Sequence, residues 1–156
     1  MDDQTITSVD AGTEVLNVSD CWALIRSAEV ARLAVCVNHH PEIFPINYVV
    51  DHGSVVFRSA PGTKLAAANG NAVALEVDGV DPTDGQVWSV VVKGTAEVLT
   101  EIHGVVEATD LPLFPWQATP KPVFVRIEPT EITGRRFRRV NLAAGVPMAP
   151  SQERPS

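Results

Sequence analysis

Between Arg32 and Phe137 the chain is cut into short runs of β-branched and aliphatic residues, most of them ended by a turn signal within eight or so positions. That spacing leaves little room for long helices. The runs fall at 32–37, 43–50, 55–59, 72–77, 87–99, 123–127 and 131–137. Between them lie Asn38-His39-His40-Pro41, Asp51-His52-Gly53, Pro61-Gly62 and an acidic loop from Asp78 to Gly85. Strands this close together, joined by hairpin turns, predict an antiparallel barrel and not a βαβ array. Gly94, inside the longest run, predicts a bulge or a close backbone approach.

Two short helices fit around the strands. Ser19 is placed to cap a first helix reaching about Ala28, with Trp22 and Ile25 on its apolar face. Thr63 to Ala68 has helix-forming composition and ends at Asn69-Gly70. Residues Glu101 to Thr109 are weakly helical, and Leu111 to Pro122 is a Pro-rich irregular stretch. The resulting division is a flexible arm over 1–15, one barrel domain over 16–140 and a disordered Ala- and Pro-rich tail over 141–156.

A chain of 156 residues that is 45% apolar can bury one core, and with only 6% aromatics that core must be built from Val, Ala, Leu and Ile. The formal net charge of −7 repels nucleic acid and anionic lipid, although Arg135, Arg136, Arg138 and Arg139 form a local basic cluster. The N-terminal residues are polar and acidic, and no apolar run approaches the ~20 residues of a membrane span. A cytoplasmic protein with neither a membrane nor a nucleic-acid partner is expected. Cys21 and Cys36 would then be reduced, and both read as small buried hydrophobes. Neither belongs to a CxxC pair, so no zinc site is expected.

Three segments could carry chemistry. In Phe57-Arg58-Ser59-Ala60-Pro61-Gly62-Thr63-Lys64 a strand ends in a cation and a hydroxyl, the chain turns, and a second hydroxyl and cation open a helix. Unpaired N–H groups at that helix start, with Arg58 and Lys64, suit a phosphate monoester. The same residues also fit a plain hairpin with a capping Thr63. In Phe44-Pro45-Ile46-Asn47-Tyr48-Val49 the proline cannot donate to a ladder. It either blunts an edge or leaves strand groups, with Asn47, facing the rim of a flat heterocycle. In Trp88 to Glu97, alternation puts Ser89, Val91 and Lys93 on one face, with Trp88, Val90, Val92 and Gly94 on the other. Trp88 reads as a core residue or a stacking surface.

Taken with Arg32-Leu33-Ala34-Val35 and Val73-Ala74-Leu75-Glu76-Val77-Asp78, these segments resemble the pyridoxamine 5′-phosphate oxidase-like flavin-binding superfamily, and more closely its nitroimidazole-resistance-type branch. The similarity runs from Cys21 to Glu97, with a weaker echo at Ile132 to Arg136. It implies a mainly β, six-stranded antiparallel split barrel and a homodimer with flavin sites across the interface.

Carried over by position, Arg58, Ser59, Thr63 and Lys64 would hold the phosphate of FMN. Pro45, Ile46, Asn47 and Tyr48 would line one edge of the isoalloxazine, and Trp88 and Ser89 would come from the opposite subunit. The implied activity is a flavoprotein oxidoreductase, a reductase of a small planar or nitroaromatic acceptor. A non-enzymatic flavin- or haem-related binding module and a deazaflavin-dependent reductase are the alternatives, with FAD or a deazaflavin as alternative cofactors. The chain after Arg139 lacks the basic and aromatic grip of the true oxidases, which argues against vitamin B6 oxidation. His39 and His40 are candidate proton donors or solvated turn residues.

Overall fold

The computed structural model describes residues 12–99 and 123–139. In order they form β1 (Thr13–Val15), α1 (Val18–Ser27), β2 (Val30–Val37), β3 (His40–Asp51), β4 (Ser54–Ser59), α2 (Thr63–Ala68), β5 (Ala72–Val80), β6 (Val87–Val98) and β7 (Val123–Phe137). All strand pairs are antiparallel, in the order β1-β7-β4-β3-β2-β5-β6, and β6 also pairs with β7. Six strands therefore close a ring, the expected barrel. The three-residue β1 adds to the end of β7, Thr13 opposite Phe137 and Val15 opposite Arg135. The stretch expected as a loose arm thus ends in a strand, while residues 1–11, the tail beyond 139 and the expected helix and Pro-rich segment between 101 and 122 lie outside the described residues.

Local chemistry sets the hairpins. Asn38 and His39 both take positive φ (49° and 65°), as do His52 and Gly53 (46° and 75°). Two successive left-handed residues make the tight turn whose twist matches paired strands. His40 and Pro41, expected in the first turn, therefore belong to β3.

The first helix is capped by Asn17, not Ser19. Asn17 is extended (φ −74°, ψ 166°), and its side chain accepts a 2.8 Å hydrogen bond from the Asp20 N–H. Ser19 already lies inside the first turn, where its hydroxyl cannot serve that role.

Alternation fills the interior. Leu33 and Val35, Val55 and Phe57, Leu75 and Val77, Val90 and Val92, and Val125 and Ile127 enter from five strands, and α1 plugs one side with Cys21 and Ile25. Cys36 breaks the expectation of burial. It follows inward Val35 by one position, so it points outward and is exposed.

The two strands expected at 123–127 and 131–137 are one strand. Its register against β6 shifts between Lys93 and Gly94, so that Lys93 faces Glu131 and Gly94 faces Pro129. Thr130 is the extra residue, and its hydroxyl donates to the Lys93 carbonyl at 3.2 Å. A Cβ at Gly94 would collide with the Glu128 carbonyl oxygen, so glycine is what lets the bulge close.

Candidate functional site

Strands β3 and β4 are hydrogen-bonded only from Tyr48↔Phe57 to Asp51↔Ser54. On the other side of that point they part. β3 stays with β2, from Val30↔Asn47 through Arg32↔Pro45 to Val37↔His40. β4 stays with β7, through Arg58↔Phe124 and Ser59↔Val123. A cleft of about 790 Å³ opens in the fork, a size suited to a small-molecule ligand. Pro45, Ile46 and Asn47 line its β3 side, Arg58 and Ser59 its β4 side, and Thr63 and Lys64 its helical end.

The cradle and the strand edge singled out from the sequence thus form two walls of one cavity. Pro45 has no N–H to give. Ser59 Oγ donates to the Ala60 carbonyl at 3.1 Å. The Thr63 cap does not occur: Thr63 is the first helical residue, and the N-cap is Gly62, which offers no side-chain acceptor. The first-turn N–H groups of α2 are accordingly left without a side-chain cap, and Gly62, Thr63 and Lys64 line this end of the cleft.

Both cations rest on aromatic rings. Lys64 Nζ lies 4.7 Å from the centroid of Phe44, and Arg58 Cζ lies 5.3 Å from that of Phe124. Neither ring stood out as a site residue in the sequence. Phe44 lies in the 44–49 segment with no role of its own expected there, and the Arg58↔Phe124 pairing is a long-range register that no local pattern reveals.

Tyr48 does not line this cleft, and Trp88 and Ser89, expected at it from an opposite subunit, do not line the cleft of their own protomer. Tyr48 is 4% exposed and points into the barrel, where its hydroxyl donates to the Ile25 carbonyl at 2.6 Å. Burial pushes its phenol well above the ordinary value. Trp88 is 5% exposed and packs within the protomer, its indole against Gly79. Ser89 is half-buried on the outer face of the same strand, away from the cleft of its own protomer. His39 and His40 lie at the β2–β3 hairpin and do not line the cleft.

The outer face beside the cleft continues across β2, β5 and β6. On it Arg32 donates to Glu76 at 2.9 Å and to Asp78 at 2.8 Å. Burial and then the neighbouring Asp78 push the Glu76 carboxyl above the ordinary range, against the pull of Arg32. Ile43 on β3 is 68% exposed. Among the described residues no three His, Cys, Asp or Glu side chains gather as a metal site, and no helix is long and apolar enough to cross a membrane.

A family model described as pyridoxamine 5′-phosphate oxidase matches residues 17–136. The chain belongs to that family. An uncharacterised Mycobacterium tuberculosis protein is 48% identical over 91 residues, covering 58% of this chain and 81% of the relative. The solved FAD-binding protein of Mycobacterium smegmatis is 40% identical, with a TM-score of 0.69 over 80% of this chain and 98% of its own. A solved protein from Bacteroides thetaiotaomicron, named for 5-nitroimidazole antibiotic resistance, shares 14% identity and a TM-score of 0.64 over 81% and 89% of the two chains. At that identity the likeness concerns the fold alone. The matched span contains the fork, both its walls and the Arg58–Lys64 turn.

Proposed function

We propose that the fork between β3 and β4 is a flavin site, that the flavin is FMN, and that the protein is an FMN-dependent oxidoreductase reducing a small planar or nitroaromatic acceptor. The observation that carries this reading is the shape of the fork itself. Arg58 on the β4 side and Lys64 with the uncapped first turn of α2 at the helical end supply cationic and N–H groups, and the β3 edge at Pro45–Asn47 lines the other side. A phosphate monoester needs the first, and the polar rim of a tricyclic ring needs the second. One pair of cations matches one phosphate group, which favours FMN. FAD is the second reading, supported by the FAD-binding Mycobacterium smegmatis relative.

The flavin would supply the hydride and electron chemistry, while the protein binds and orients it and controls access. Within this reading Arg58 and Lys64 neutralise the phosphate, Ser59 and Thr63 add hydroxyl donors, and Asn47 addresses the ring's polar atoms. The acceptor class follows from the resemblance to the nitroimidazole-resistance-type branch.

We also infer a homodimer. On the outer face of the protomer Ile43 is largely exposed, and Ala34, Ala74 and Val91 are half-buried small or apolar residues. A second copy on that face would desolvate the ring and bring its Ser89 near it. Trp88, held in its own core, would act there by fixing the strand that carries Ser89.

The test begins with the purified protein. It should absorb in the flavin bands, bleach with NAD(P)H or dithionite and reoxidise with a nitro compound. FMN, FAD and a deazaflavin are offered separately to protein stripped of cofactor. The Arg58→Ala, Lys64→Ala double variant should lose most FMN affinity while keeping its fold, since charge-assisted contacts contribute about 1.5–3 kcal/mol each. Unchanged FMN affinity in that variant would remove the phosphate assignment.

A further inference from the structure

We propose that Phe44 and Phe124 are positioning residues, whose rings hold the ammonium of Lys64 and the guanidinium of Arg58 in the orientation that receives a phosphate. The inference rests on the reading of the fork as a flavin phosphate site and adds two residues to it. Lys64 is an exposed side chain on the first turn of a six-residue helix, and Arg58 stands near the end of a strand. Long cationic side chains in such places sample many rotamers, and ordering them opposes binding.

The structure gives each cation a ring. Nζ of Lys64 is 4.7 Å from the Phe44 centroid, and Cζ of Arg58 is 5.3 Å from the Phe124 centroid. Arg58 and Phe124 are direct cross-strand partners between β4 and β7, while Phe44 is on β3 and Lys64 on α2. Each cation is therefore braced by a contact between two different elements. A ring attracts a cation through its quadrupole and does not itself neutralise it. Both rings are half-buried, so an aliphatic residue of similar bulk can replace them without opening the core.

Packing and positioning predict different losses. A ring that merely lines the cleft would weaken riboflavin and FMN alike when changed to leucine. A ring that orients a cation would weaken only the ligand that carries phosphate. Protein stripped of flavin is therefore titrated with FMN and with riboflavin, following flavin fluorescence, for the native chain, Phe44→Leu, Phe124→Leu, Phe44→Tyr and Phe124→Tyr.

The ratio of the riboflavin to the FMN dissociation constant should fall about three- to tenfold in each leucine variant and return in each tyrosine variant. Thermal melts identify any leucine variant that fails to fold, for which methionine takes its place. An unchanged ratio in the leucine variants, or tyrosine variants no better than leucine, overturns the positioning role and leaves the flavin reading intact. Native protein that binds FMN no better than riboflavin overturns both.

Discussion

The hydroxyl of Tyr48 donates a 2.6 Å hydrogen bond to the carbonyl oxygen of Ile25, near the C-terminus of α1. The bond fastens the helix to the strand at the point where β3 leaves β4. Tyr48 is thus the hinge post of the fork: its neighbour Asn47 lines the cleft while its own ring stays inside. Tyr48→Phe keeps the ring and removes the shorter of two hydrogen bonds to the Ile25 carbonyl, the Ala28 N–H at 3.4 Å remaining. It should cost about 1–2 kcal/mol of stability, measured by denaturant unfolding. Equal midpoints for the two proteins would mean the bond contributes nothing.

Gly94 tests the bulge. Any side chain there meets the Glu128 carbonyl, which is backbone and cannot swing aside. Gly94→Ala should destabilise by about 1–3 kcal/mol through forced backbone displacement, read from the melting curve. Gly53→Ala, with open space around it but a left-handed φ of 75°, should cost about 1–2 kcal/mol through backbone strain and not through collision.

Asp51 carries an acid-dependent contribution. Burial opposes its ionisation, but hydrogen bonds from Arg126 and His52 and their charges prevail, holding its carboxyl below the ordinary range. Arg126 Nη1 lies 2.9 Å from Asp51 Oδ2 and also donates to the buried Ser54 hydroxyl. A lowered folded pKa means this stability is fully present above the unfolded value near ~4 and is lost as pH falls through the folded one. Arg126→Met should destabilise at neutral pH and flatten the loss of stability as pH falls below the ordinary carboxylate range. A variant as acid-sensitive as the native chain would contradict this.

The outer face tests the second copy. Ala74 faces outward on β5, so Ala74→Arg leaves the core intact. The variant should run as a monomer in light scattering and lose bound flavin at the same time. A native protein already monomeric and yellow would disprove the dimeric site.

Most of the strand content, α2, the hairpin turns and the bulge at Gly94 were readable from local pattern, because each depends on neighbours within a few residues. The limits of that reading are equally local. Ser19 looked like the cap because it suits the role, yet Asn17 takes it by adopting the extended backbone a cap requires. Cys36 looked buried because its run is uniformly apolar, and only the register of β2 against β3 and β5 put it outside.

The sequence alone determined which segments become strands and which residues could meet an anion, since alternation, turn chemistry and side-chain charge are properties of short windows. The tertiary structure decided that β3 and β4 part beyond Tyr48, that Tyr48 and Trp88 serve the core, and that Phe44 and Phe124 lie against the two cations. Those outcomes depend on pairing between residues as far apart as Arg58 and Phe124. Register of that kind is fixed by closing the whole barrel, and no short stretch of chain encodes it.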